Sequence, residues 1–265
     1  MKDITLGQYY PVDSVIHRMD PRTKLAGTLI YIIALFLAKG PVCYLLAAGF
    51  LLLVIRVSKV PFGYIVRGLK PIILILAFSA VFNLFLVKGT PIVRIWKLTI
   101  TVEGLLQAIY MTLRLTFLIM GSSLMTFTTT PNQLTDGLET SLRGLNKIHV
   151  PVHEIAMMMS IALRFIPILV DETDKITKAQ TARGADFESG KLIERVKSMI
   201  PLLVPLFISA FRRASDLAMA MEARCYQGGE GRTKMKPLHY TKVDTWGYLA
   251  LFVFLGLMIL LMILG

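Results

Sequence analysis

Long apolar runs separated by short charged loops set the pattern of this chain. Leu25 to Ala38 is apolar, Lys39-Gly40-Pro41 breaks the run, and Val42 to Ile55 is apolar again. Each half falls short of the roughly 20 residues that a bilayer of about 30 Å asks of a helix. With flanking residues counted they read as a tight hairpin of two spans, or as a re-entrant pair. A third span, Pro71 to Val87, carries no charge. The loop after it sets Lys88, Arg94 and Lys97 among turn and β-branched residues, which predicts a small strand or an irregular cap. A fourth span, Gly104 to Phe127, is interrupted by Arg114, and a final one, Thr245 to Gly265, is free of charge. An arginine that deep is expensive, so Arg114 should either face a partner group or reach for the headgroups.

Helix starts are legible at two places. Asp20-Pro21 combines an N-cap with a proline at the first helical position. Thr130-Pro131-Asn132-Gln133 has capping-box spacing, and Leu134, Leu138, Leu142 and Leu145 then recur as one amphipathic stripe. Two longer helical patterns follow, Pro151 to Arg183 and about Lys191 to Arg224, each apolar early and charged late. The first closes on Ala182-Arg183-Gly184 and the second on Ala223-Arg224-Cys225, with the arginines 41 residues apart. Either one alone could be an ordinary helix end, since a terminal arginine suits the macrodipole and glycine suits the turn that follows. Two copies on adjacent helices invite a functional reading. A charged helix tip can carry force to a soluble partner, and the arginine fork can hold a carboxylate bidentately. Methionine-rich surface such as Met157, Met158 and Met159, flanked by Ile161 and Phe165, suits contact with varied partners, though it also suits a plain core.

Composition sharpens this. A mean hydropathy of +0.64 over 265 residues, 55% of them hydrophobic, exceeds that of a soluble domain and marks an integral membrane protein. Of the 29 lysines and arginines, 24 fall on one face of the implied topology and 4 on the other, with Arg114 inside a span. The positive-inside rule then places the N-terminus and the long segment before the last span in the cytoplasm. The polar first 24 residues lack the pattern of a cleaved signal, so the first apolar run should persist as a span. The expected fold is an all-α membrane protein of about five transmembrane helices plus a cytoplasmic domain of about three helices, the last two long and crossing. The division expected is 1–129 for the first four spans, 130–243 for the cytoplasmic coupling domain and 244–265 for the last span.

Candidate chemistry is sparse. The nearest approach to a phosphate-binding loop, Gly184 to Lys191, has five intervening residues and Leu192 where Ser or Thr belongs. His149 and His153-Glu154 miss the spacing of a zinc protease, and the spans lack paired carboxylates. Two cysteines, Cys43 and Cys225, form neither a metal motif nor a disulfide framework. No catalytic, cofactor or metal residue is expected. Acids accompany the bases through the long segment, which argues for a solvated, lipid-facing surface and against nucleic acid. A self-contained secondary transporter or channel is the alternative; such proteins carry several intramembrane ionisable sites, often in repeated halves, and here Arg114 stands nearly alone.

Arg164-Phe165-Ile166-Pro167, the two Ala-Arg tips, Asp20-Pro21-Arg22-Thr23-Lys24 and Thr129-Thr130-Pro131 resemble the transmembrane T component (EcfT/CbiQ-like) of energy-coupling factor (ECF) transporters, over essentially the whole chain. The resemblance implies a bacterial cell-membrane scaffold with no enzymatic activity of its own. Two ATP-binding-cassette ATPases would dock on it, and a small membrane S component would bind a vitamin or a metal ion. It further implies that Ala182, Arg183, Gly184, Ala223, Arg224 and Cys225 contact the ATPases. Met157, Met158, Met159, Ile161 and Phe165 would then face the S component. Cys225 stands where the family often has glycine.

Overall fold

The computed structural model describes residues 9–87, 89–95, 98–185, 187, 193, 197–229, 233, 235 and 237–264, with backbone alone for 91–95 and 98–100. Among the described residues the regular structure is helical apart from one small hairpin, and the chain divides into two compact units, one built on Ser141–Pro237 and one on Gly7–Thr140 with Leu238–Gly265.

The second of these units holds a short helix α1 (Val15–Arg18), then α2 (Pro21–Leu37) and α3 (Gly40–Ser58). Next come α4 (Phe62–Leu69), a 3₁₀ turn and α5 (Ile73–Leu86). The antiparallel hairpin β1 (Pro91–Ile95) and β2 (Leu98–Thr101) pairs Arg94 with Thr99 and meets the expectation of a small strand in that loop. Helices α6 (Val102–Thr128) and α7 (Pro131–Leu142) follow, and α10 (Lys242–Leu264) closes the chain.

The core of this unit is apolar and aromatic. Ala34, Leu35, Ala47, Leu124, Phe254 and Met258 are buried, with the Phe50 and Phe254 rings stacked 4.3 Å apart. Small residues bring the backbones close: a side chain on Gly121 would strike Tyr31, and one on Gly27 would strike Leu251. By contrast α5 leaves Leu74, Ile75 and Phe78 exposed, as suits a helix surrounded by hydrocarbon.

Helix ends account for the polar interior. Asp20 caps α2, accepting from the Arg22 backbone N–H at 2.8 Å, with Pro21 at the first helical position. The Asp20 N–H in turn donates to Asp244 at 2.7 Å. Asp244, 1% exposed, also accepts from the backbone N–H and the hydroxyl of Thr241, both at 2.7 Å, so its carboxylate satisfies the N–H that precedes α10 as the acid of a capping box does. Arg22 forks onto Asp20, reaches the Leu238 carbonyl and lies 4.0 Å over the Tyr240 ring. One carboxylate thus ties the start of α2 to the start of α10.

Arg114 is half-buried and faces a partner group, one of the two expected outcomes, and that partner is uncharged. Its Nε donates to the Tyr44 hydroxyl and its Nη2 to the Ala38 carbonyl, both at 3.1 Å. Ala38 is the C-cap of α2, so Arg114 satisfies a carbonyl that the helix itself cannot. It thereby fastens the α2–α3 hairpin to α6. The 17 residues of α2 rise only about 26 Å. Among the described residues, five helical stretches could cross a membrane by length and composition: Gly40–Ser58, Phe62–Leu86, Val102–Thr128, Val152–Ala182 and Lys242–Leu264. The short α2 falls outside that set, and the first long cytoplasm-assigned helix falls inside it.

The capping box at Thr130 forms, with Thr130 N–H to Gln133 at 3.1 Å and Gln133 N–H to the Thr130 hydroxyl at 3.3 Å. The leucine stripe of α7 does not become its buried face. Thr135 and Gly137 are buried, while Leu142 and Leu145 are exposed. A Cβ on Gly137 would sit 2.9 Å from the Pro21 ring, so the tight approach to α2 requires the small side of the helix.

Replacing Asp244 with alanine strands the N–H groups of Asp20 and Thr241. The buried Asp20 bond, left unmade, costs about 1–3 kcal/mol and the part-buried Thr241 bond about 0.5–1.5 kcal/mol, so the loss should be about 1.5–4.5 kcal/mol. A thermal unfolding midpoint in detergent unchanged by D244A would contradict the clasp.

Candidate functional site: twin helix tips

The other unit contains a 3₁₀ turn (Arg143–Ile148) and the two long helices α8 (Val152–Ala182) and α9 (Ile200–Ala223). They lie antiparallel. Near the end of α8, Gln180 donates to the Pro201 carbonyl at the start of α9 at 3.3 Å. Eight residues back on α8, Glu172 accepts from the Ser209 hydroxyl at 2.8 Å and from Arg213. The loop beyond α9 returns to the beginning of α8, where a side chain on Gly229 would strike His153.

The tips therefore lie at opposite ends of the pair. Arg183 is the C-cap of α8, whereas Arg224, the C-cap of α9, lies towards the first turn of α8. The 31 residues of α8 rise about 46 Å, so the arginines mark two well-separated points.

Locally the tips are near copies. After α8 the Gly184 N–H bonds the Thr181 carbonyl at 2.9 Å and the Ala185 N–H bonds the Gln180 carbonyl at 3.0 Å. After α9 the Cys225 N–H bonds the Glu222 carbonyl at 2.8 Å and the Tyr226 N–H bonds the Met221 carbonyl at 3.1 Å. Both are Schellman ends, with the residue after the arginine in the left-handed region: Gly184 at φ +90° and Cys225 at φ +55°. Cys225 thus adopts the backbone that glycine adopts elsewhere, and the departure from Ala-Arg-Gly leaves the shape of the second tip intact. Ala182, Arg183 and Gly184 are exposed, as are Ala223, Arg224 and Cys225. Neither arginine has an acidic partner within its own tip among the described residues.

Of the residues singled out for their apolar surface, Met158 and Met159 are exposed, while Met157, Ile161 and Phe165 are half-buried. The broader apolar face is on α9. Leu203, Val204, Phe207, Ile208 and Phe211 are all exposed and line a hollow of about 430 Å³. The sequence carried that signal as a three-and-four spacing, outweighed in the reading above by the methionine run. Among the described residues no cluster of His, Cys, Asp or Glu could hold a metal ion.

Several apolar helices of spanning length, small-residue helix packing and an apolar core define a multi-pass membrane protein. The sequence model of the family described as CbiQ, cobalt transport protein, matches residues 13–235. The chain is 57% identical over 246 residues to the energy-coupling factor transporter transmembrane protein EcfT of Clostridium kluyveri, covering 92% of this chain and 91% of that one. It is 52% identical over 260 residues to the protein of that name from Acidaminococcus fermentans, with 97% of each covered. Against the Bacillus subtilis EcfT it is 48% identical over 262 residues, with 98% and 99% covered. The chain belongs to the EcfT/CbiQ family of ECF-transporter transmembrane components.

An L-residue in the left-handed region costs about 1–2 kcal/mol, partly offset by the greater unfolded-state entropy of glycine. Cys225→Gly should therefore stabilise the protein by about 0.5–1 kcal/mol and Gly184→Ala should destabilise it by a similar amount. Shifts of the same sign in the two thermal midpoints would refute the twin-tip geometry.

Proposed function

We propose that the tips Ala182-Arg183-Gly184 and Ala223-Arg224-Cys225 each seat one ATP-binding-cassette ATPase subunit, so that two ATPases drive one membrane scaffold. The observation that carries this is the twin geometry: two exposed arginines on matching Schellman ends, at opposite ends of an antiparallel helix pair. One globular subunit would not reach both. ATP hydrolysis belongs to those subunits and this chain supplies no active site.

The helix pair belongs to a cytoplasmic coupling domain, residues 130–243, between spans within 1–129 and a last span within 244–265. The bacterial cell membrane holds the protein with its N-terminus inside, as the excess of lysine and arginine on that face supports. Although α8 is long and apolar enough to cross a bilayer, it carries an exposed Arg164 twelve residues from its start and turns acidic from Asp171. An exposed charge in mid-bilayer is costly, which favours a helix lying outside the hydrocarbon. Its exposed Met158 and Met159, with the half-buried Met157, Ile161 and Phe165, receive a small membrane S component that captures a vitamin or a metal ion. The apolar hollow of α9 extends the same contact surface. ATPase opening and closing moves the tips and, through them, the S component.

Reversing a charge at a desolvated contact costs about 2 kcal/mol or more, roughly 30-fold in Kd. Arg183→Glu and Arg224→Glu should each weaken ATPase binding by that order, and the double variant should lose both subunits. Pull-down from mild detergent with quantitative mass spectrometry measures it. Full recovery of two ATPases on the double variant would exclude the tips as seats. Photo-cross-linkers at Met158 or Met159 should capture a small hydrophobic protein, and capture only of lipid would exclude that face.

A further inference from the structure

The spacing of 41 residues that relates the two tips also relates the two residues fastening the helices together. Glu172 on α8 and Arg213 on α9 are 41 apart and paired. The neighbouring positions follow suit: Asp171-Glu172 in the first copy stands where Arg212-Arg213 stands in the second. Counted in the other direction, Arg183 lies eleven residues after Glu172 and Arg224 eleven residues after Arg213. In an antiparallel pair, equivalent positions of two repeats meet only at the local two-fold crossing point. The chain has placed an acid on one side of that point and a base on the other. Eleven residues rise about 16 Å, so the tips project as equal arms in opposite directions from a single polar contact.

We propose that Glu172, held by Arg213 and Ser209, is the positioning residue at the fulcrum of the pair. It keeps the two arms at one spacing, so that movement delivered to one tip is transmitted to the other and to the surface between them. The proposal rests on the tips being docking seats. Two features of the helices support it. Each helix carries one internal proline shortly before the contact, Pro167 five residues before Glu172 and Pro205 four before Ser209. A proline removes a rung of the hydrogen-bond ladder and is a place where a helix bends. Phe207, Ile208 and Phe211 of α9 are exposed and turned away from Ser209 and Arg213, so they do not hold the crossing. A second bond, from Gln180 to the Pro201 carbonyl, joins the helices nearer the Arg183 tip.

The test uses the full-length chain in nanodiscs and then the assembled transporter. Spin labels on native Cys225 and on an introduced Lys178→Cys, in a Cys43→Ser background, report the spacing of the arms. The unaltered fulcrum should give one narrow distance distribution. Glu172→Arg, which sets two cations against each other, should broaden it, and the swap Glu172→Arg with Arg213→Glu should narrow it again. In the assembled transporter, Glu172→Arg should keep both ATPases bound but raise the ATP consumed per substrate moved, and the swap should lower it. A distribution and an ATP ratio unchanged by Glu172→Arg, or unrestored by the swap, would overturn the fulcrum. Should the parent complex show no ATPases at all, the docking reading fails, while the distance measurement still decides whether the contact sets the spacing.

Discussion

A helix leaves four N–H groups and four carbonyls unpaired at its ends, and in a chain this apolar there is little water to take them. The polar architecture of this protein answers that one constraint. Asp244 closes the starts of α2 and α10 together, Arg114 takes up the carbonyl at the end of α2, and Schellman turns finish α8 and α9. Polar side chains that would be a liability elsewhere in a membrane protein become its joints, because each is spent on a backbone group that had no other partner.

The same constraint explains why an intramembrane arginine here need not mark a transport path. Arg114 donates to a tyrosine hydroxyl and a main-chain carbonyl, and Tyr44 is itself stacked on Tyr110 at 5.2 Å. The guanidinium fork suits two acceptors at fixed angles, which a lysine could not match. Its work is to hold a hairpin that ends short of its neighbour. The helix tips, proposed above as docking seats, differ in kind: there the geometry satisfies the backbone internally and leaves the arginine side chains exposed.

The pair α8–α9 shows how a near-repeat meets itself in an antiparallel pair. Two similar helices laid antiparallel generate a local two-fold, and any residue at the crossing meets its own counterpart. Identical charges there would repel. An acid in one copy and a base in the other turn the point into a contact, and equal numbers of residues beyond it make equal arms. The two ATPases proposed above would form the symmetric pair that such a frame suits.

Local features were open to reading from the order of residues alone. The capping box at Thr130-Gln133, the Asp20-Pro21 start, the spanning helices, the strand-like loop and both Ala-Arg ends depend on neighbours within a few positions. Periodicity and capping rules therefore reach them. Tertiary structure alone decided what depends on distant partners. The bond from Asp20 to Asp244 joins residues 224 apart, Arg114 finds Ala38 across two helices, and the buried side of α7 is its glycine side because Pro21 approaches there. Cys225 could not be known to hold a glycine-like backbone until its φ was seen. The 41-residue spacing was visible in the sequence at the tips, but that it also pairs Glu172 with Arg213 required the helices to be laid side by side. Sequence determines what each segment can be, and packing determines which of its faces and charges are left with a partner.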